Sequence, residues 1–131
     1  MAIALLALPV DCANLAPDAI QALDQDVTVA AGSSVRVGDT KVVVRFEGVL
    51  NDSRCPADVQ CISAGDASVL VTASTGGAVA SRYELHTNSP PHEAIHDRLR
   101  LTLVDLRPVP VSTRTTRSSE YVLTLRVSQV R

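Results

Sequence analysis

The string His92-Glu93-Ala94-Ile95-His96 has the spacing at which a helix offers two imidazoles to one zinc ion, with the carboxylate between them activating a zinc-bound water. Ser89-Pro90-Pro91 just ahead suits a helix entry, with Ser89 as N-cap and Pro90 at the first helical position. Two features weigh against a metalloenzyme. The stretch before the next strand-like run at Leu99 is too short for the long buried helix such enzymes use, and no third ligand follows at a familiar spacing. Downstream, Glu120 adjoins an exposed polar connection, and upstream His86 would complete a surface zinc site without a protease pattern. The sequence thus favours no metal and no catalytic group. A small zinc-dependent hydrolase with His92 and His96 as ligands and Glu93 as base is the alternative, with zinc as its cofactor. No nucleophile elbow, P-loop or dinucleotide fingerprint is present, and Cys12, Cys55 and Cys61 have no base beside them in sequence.

Chemistry of a different kind concentrates between residues 51 and 67. Cys55 and Cys61 stand six apart in a loop containing Pro and Asp, a separation that closes a small ring in an oxidising compartment, so a disulfide is expected. The alternative, two free thiols or half of a zinc site, is weakened by the lack of a second Cys pair and by the C-x5-C spacing. Arg54, Asp58 and Asp66 are the candidate binding residues of this loop. Arg54 either pairs with Asp52 or Asp58 to hold the loop or projects toward an anionic partner. Asp52, Asp58 and Asp66 lack the ligand rhythm and Gly of a calcium loop. Asn51-Asp52-Ser53 also fits the N-glycosylation pattern, which matters in a eukaryotic source.

The segment Asp52-Ser53-Arg54-Cys55-Pro56, the second Cys at 61, and Ala64-Gly65 before a strand together resemble a family of uncharacterised bacterial exported proteins and lipoproteins. The resemblance spans Val27 to Val130 and implies an extracytoplasmic location and no particular activity. The chain departs from it at Ser63, where that family often carries Trp. Ahead of the domain, the run MAIALLALPV is long enough for the apolar part of a signal peptide and too short to span a bilayer as a helix. Cys12 after it is a candidate lipidation site, although Asp11 departs from the small residue that lipid attachment wants, and no Lys or Arg precedes the run.

The elements that must position these residues read almost entirely at period two. Alternation marks strands around Val27–Val29, Val35–Val37, Lys41–Leu50, Ala67–Ser74, Val79–Thr87, Leu99–Leu103 and Tyr121–Val127. In the third of these, Val42, Val44, Phe46, Gly48 and Leu50 share one face. In the fifth, Val79, Ser81, Tyr83 and Leu85 point inward and His86 outward. Gly76-Gly77 joins two strands as a hairpin, and residues 108–119 form an exposed, mobile connection. Pro17, Ile20 and Leu23 suit a short helix or a tether. The expected fold is all-β, an antiparallel β-sandwich or partly open barrel of about seven short strands, with residues 1–26 as a peripheral N-terminal segment and 27–131 as the domain.

With aromatics at 2% and no Trp, the core must be built from Val, Leu, Ile and Ala, and no stacking platform exists for single-stranded nucleic acid or sugar rings. A net charge of −2 with dispersed Arg and Asp supplies no phosphate-neutralising stripe. Nucleic acid is therefore not an expected partner, and a membrane is one only through an N-terminal anchor. The function expected is a noncatalytic extracytoplasmic binding or structural module of the bacterial cell envelope, secreted, periplasmic or lipid-anchored, that meets a protein or small ligand through its loops.

Overall fold

The structure is a computed structural model that describes residues 19–21 and 23–130; the apolar run at 1–10 and Cys12 lie outside the described residues. Among the described residues nine strands follow in order: β1 (Ala19–Gln21), β2 (Asp26–Ala30), β3 (Ser34–Val37), β4 (Val42–Asp52), β5 (Ala67–Thr75), β6 (Ser81–His86), β7 (Glu93–His96), β8 (Leu99–Arg107) and β9 (Val122–Gln129). They form two open sheets, ordered β1-β3-β4-β5-β6 and β2-β9-β8-β7. Every pairing is antiparallel except β1 with β3. The architecture is the sandwich that the alternation predicts, and the two inner faces enclose a single apolar cluster.

That cluster is aliphatic. Phe46, Leu85, Leu101, Leu106, Leu123, Leu125 and a set of valines are fully buried. Isoleucine, expected in the core, is not in it among the described side chains, because Ile62 and Ile95 are both exposed. Alternation puts Leu123, Leu125 and Val127 of β9 on the inner face of one sheet and Val42, Val44 and Phe46 of β4 on the inner face of the other, all of them buried. Burying each such side chain contributes about 1.5–3 kcal/mol, so the β4 and β9 faces supply much of the sandwich's cohesion.

The structure corrects the sequence reading where the two-residue rhythm slips. In β4, register shifts at Phe46/Gly48 and Val49/Asn51 turn the strand, so Leu50 is more than half exposed while Val49 packs against the core. A third shift at Leu103/Asp105 in β8 brings Leu106 inward, where unbroken alternation from Leu99, Leu101 and Leu103 would turn it out. Val79 is almost wholly exposed, because the turn after Gly76-Gly77 continues to Ala80 and β6 starts only at Ser81. Around Ile20, where a short helix or tether is expected, Ala19–Gln21 instead lies as a strand against Val35–Val37. The HExxH string also becomes strand: its last four residues are β7, paired with β8.

β7 and β8 are joined by Asp97-Arg98, both left-handed (φ 46° and 65°), the backbone of a type I′ hairpin turn filled without glycine. A Cβ in this region is strained by about 1 kcal/mol or more per residue. Arg98→Gly is therefore expected to stabilise the fold by about 0.5–1 kcal/mol, read as a higher midpoint in urea at unchanged m-value; an equal or lower midpoint contradicts the account.

Candidate functional site

The chain between β4 and β5 is drawn into a narrow, doubly stranded loop. Beyond the last ladder pair its limbs stay bonded: Ser53 N–H donates to Asp66 O (2.7 Å) and Cys55 N–H to Ala64 O (2.9 Å). The Ser53 hydroxyl also donates to Asp66 O. Gly65 (φ 69°) is where the limbs touch; a Cβ there would lie 1.9 Å from Ser53 O, so no other residue fits without parting them. At the tip Cys55 and Cys61 are disulfide-bonded, with Cα atoms 5.9 Å apart. Closing a ring this small removes about 2 kcal/mol of unfolded-state entropy.

Arg54 does not project toward solvent. Its Nε and Nη2 donate to the two oxygens of Asp52 (2.8 Å each), Nη1 to Leu106 O (2.6 Å), and Nη2 also to Pro108 O (2.9 Å). The Tyr121 hydroxyl donates to the same Asp52 oxygen that takes Nη2 (2.9 Å). Asp52 and Arg54 belong to the β4 end of one sheet, while Leu106 and Tyr121 belong to β8 and the entry to β9 of the other. The ion pair is therefore an inter-sheet clamp, with side chains only 10–13% exposed. Burial pushes the Asp52 carboxyl up, but the bonds from Arg54 and Tyr121 outweigh it and hold the group below the ordinary carboxylate range. Arg54 is pushed further up by its bonds to Asp52. Burial and the bond to Asp52 raise the Tyr121 phenol.

The other two candidates are likewise committed within the molecule. Asp58 accepts from Ser112 N–H (2.8 Å) and from the Ser112 hydroxyl, and Ala57 N–H donates to Pro110 O (2.8 Å). The connection expected to be mobile is thus stitched to the disulfide ring, and a 3-10 turn (Ser118–Glu120) leads from it into β9. Asp66 accepts from the backbones of Asn88 (2.8 Å) and Ser89 (3.1 Å), while its other oxygen meets His86 Nδ1 at 2.6 Å. His86, expected to point outward, turns to this carboxylate because the loop after β6 folds back over the start of β5. Burial raises the Asp66 carboxyl, and the bonds from His86, Asn88 and Ser89 lower it by more, to about 2.

The zinc alternative needs His92 and His96 on one helical face, about 6 Å apart along the axis. In extended chain, residues four apart are separated by about 13 Å. His92 is exposed, with Nδ1 donating to His86 O, whereas His96 is buried between the sheets. The Thr75 hydroxyl donates to Asp97 and so accepts from His96 Nε2 (2.9 Å), while His96 Nδ1 is hydrogen-bonded with Tyr83 OH (2.7 Å). Both ring nitrogens are occupied, and the Thr75 proton is spent on Asp97, so this chain of four groups braces a corner and does not activate an oxygen. Among the described residues no cluster of three or more His, Cys, Asp or Glu has metal-binding geometry.

Sequence reasoning missed the apolar residues of the clamped end. Ile62 is fully exposed, and Val59, Val109 and Val111 are also exposed. A signal existed, since side chains in and beside a seven-residue crosslinked ring have little freedom to fold back into a core. No helix among the described residues is long and apolar enough to cross a membrane. No protein family, no curated protein and no solved structure matches the chain.

Two outcomes follow from the bonding. Arg54→Lys keeps the charge but lacks the fork that serves Asp52 and two carbonyls at once, so it should lose about 2–4 kcal/mol in denaturant unfolding; a loss within error of zero shows the clamp is decorative. Because the Asp66 pKa is depressed in the folded state, its stabilisation is complete above the unfolded value and disappears as pH falls through about 2. Asp66→Asn should therefore flatten the acid limb of stability between about pH 4 and 2, seen as a smaller Tm difference between those pH values than in the parent.

Proposed function

We propose that the protein is a noncatalytic, extracytoplasmic binding module of the bacterial cell envelope that meets a protein partner through its disulfide-stapled end. The observation that carries this reading is Ile62, a fully exposed isoleucine beside a covalently closed ring whose limbs and neighbour are all pinned. Val59 in the ring and Val109 and Val111 on the adjoining segment add apolar area around it. Preorganised apolar groups of this kind lose little entropy on docking, which suits a recognition surface. The bonds of Arg54, Asp58 and Asp66 within the molecule hold the platform in place.

The disulfide agrees with an oxidising compartment. Export and anchoring through the segment that carries Cys12 belong to the same proposal, as does membership of the exported family that the Asp52–Pro56 motif resembles.

A photo-crosslinking amino acid placed at 62 in the producing cells is expected to yield one discrete protein adduct. The same probe at Thr28, exposed on β2, should not give that adduct, and Val59→Asp should remove it without lowering Tm. No adduct at 62, or the same adduct at 28, sinks the proposal.

A further inference from the structure

At the opposite end of the sandwich the two sheets part over a cleft of about 430 Å³. It opens where β4 and β8 begin and where β5 and β9 end, so the full strand length separates it from the Arg54 clamp. Its walls are apolar where the sheets meet, formed by Val42, Leu99 and Val130, and its rim carries two cations, Lys41 and Arg98. Neither cation has an ion-pair or hydrogen-bond partner among the described residues, whereas Arg45, Arg54, Arg100, Arg107, Arg114 and Arg126 all have one. An adjoining depression of about 390 Å³ shares Lys41 and adds Arg36, also without a partner.

One anionic side chain lies in the cleft. Asp97 is turned onto the Thr75 hydroxyl and toward His96 Nε2 (3.6 Å), and so does not neutralise Lys41 or Arg98. The brace described above therefore keeps the negative group at one wall and leaves the positive ones at the mouth. Arg98 is held in place by its left-handed turn and by the bond from Val130 N–H to its carbonyl (2.8 Å). The aliphatic stem of Lys41 passes beside Gly76.

We infer that this cleft is a second binding site, for a small amphiphilic carboxylate whose oxyanion meets Lys41 and Arg98 while a short aliphatic stem lies against Val42, Leu99 and Val130. The volume is that of a small-ligand pocket, and the combination of an apolar floor with a few convergent charges is the usual composition of one. A bare anion would leave the floor wet, and a neutral hydrocarbon would leave the cations unused.

Hexanoate, hexanol and inorganic phosphate are the probes, titrated into the isotope-labelled protein by NMR. Hexanoate is expected to saturate in the millimolar range, moving the amides of Val42, Leu99 and Val130. Lys41→Gln or Arg98→Gln should each weaken it about fivefold, and the double variant, folded by its unchanged spectrum elsewhere, by at least about tenfold. Raising the salt should weaken hexanoate binding in the parent protein. Hexanol binding as tightly as hexanoate overturns the role of the cations, and phosphate binding as tightly overturns that of the apolar floor. An absence of saturable shifts, or saturable binding unchanged in the double variant, overturns the site altogether.

Discussion

One guanidinium group holds the two sheets of this sandwich in register at their closed end. Arg54, in the loop just beyond the β4 end of one sheet, satisfies two carbonyls and a carboxylate in a space where water is largely excluded, and Tyr121 also bonds the carboxylate. A buried ion pair is a weak source of net stability by itself, because desolvation offsets much of the attraction. Its value here is directional. The fork geometry accepts one arrangement of β4, β8 and the entry to β9, so the apolar faces, which attract without direction, are locked into that arrangement. Two connections converge on the clamp: the disulfide loop between β4 and β5, and both ends of the β8–β9 connection.

The opposite end is built differently. There the sheets diverge, a hydrogen-bonded chain of Tyr83, His96, Thr75 and Asp97 braces one corner, and cationic side chains stand around a cleft. A shared aliphatic core thus carries two unlike surfaces, one rigid and apolar at its tip, the other concave and positively charged at its rim. Neither borrows residues from the other. Substitutions at one end should therefore add to those at the other, as expected for sites without common partners.

The sandwich was legible in the sequence because burial on one face of a strand imposes a two-residue rhythm, and Leu123, Leu125 and Val127 obey it without interruption. It was illegible at Leu50 and Leu106, where a bulge shifts the phase by one residue, and at Val79, where the turn runs on and the strand starts later; no local composition announces such changes. The HExxH string misleads for a related reason. Its helical meaning depends on the conformation of a segment whose β-pairing partner, Leu99–Thr102, lies just beyond it, and that pairing prevails over the helix-entry residues. For Arg54 the sequence left the direction open between an internal acid and a partner. Its choice is dictated by carbonyls some fifty residues away, a distance over which side-chain spacing carries no information. The cysteine pairing was legible since nothing but the loop itself is needed to bring the two thiols together.

The pairing of β2 with β9 joins the first strand of the smaller sheet to the last strand of the chain. A chain synthesised from its N-terminus can complete the β3-β4-β5-β6 meander and close the cysteine ring from residues already present. The smaller sheet has to wait for residues 122–129. Until they arrive β2 has no neighbour in its sheet. The strand order thus lets the larger sheet pair from contiguous sequence before the smaller one is complete.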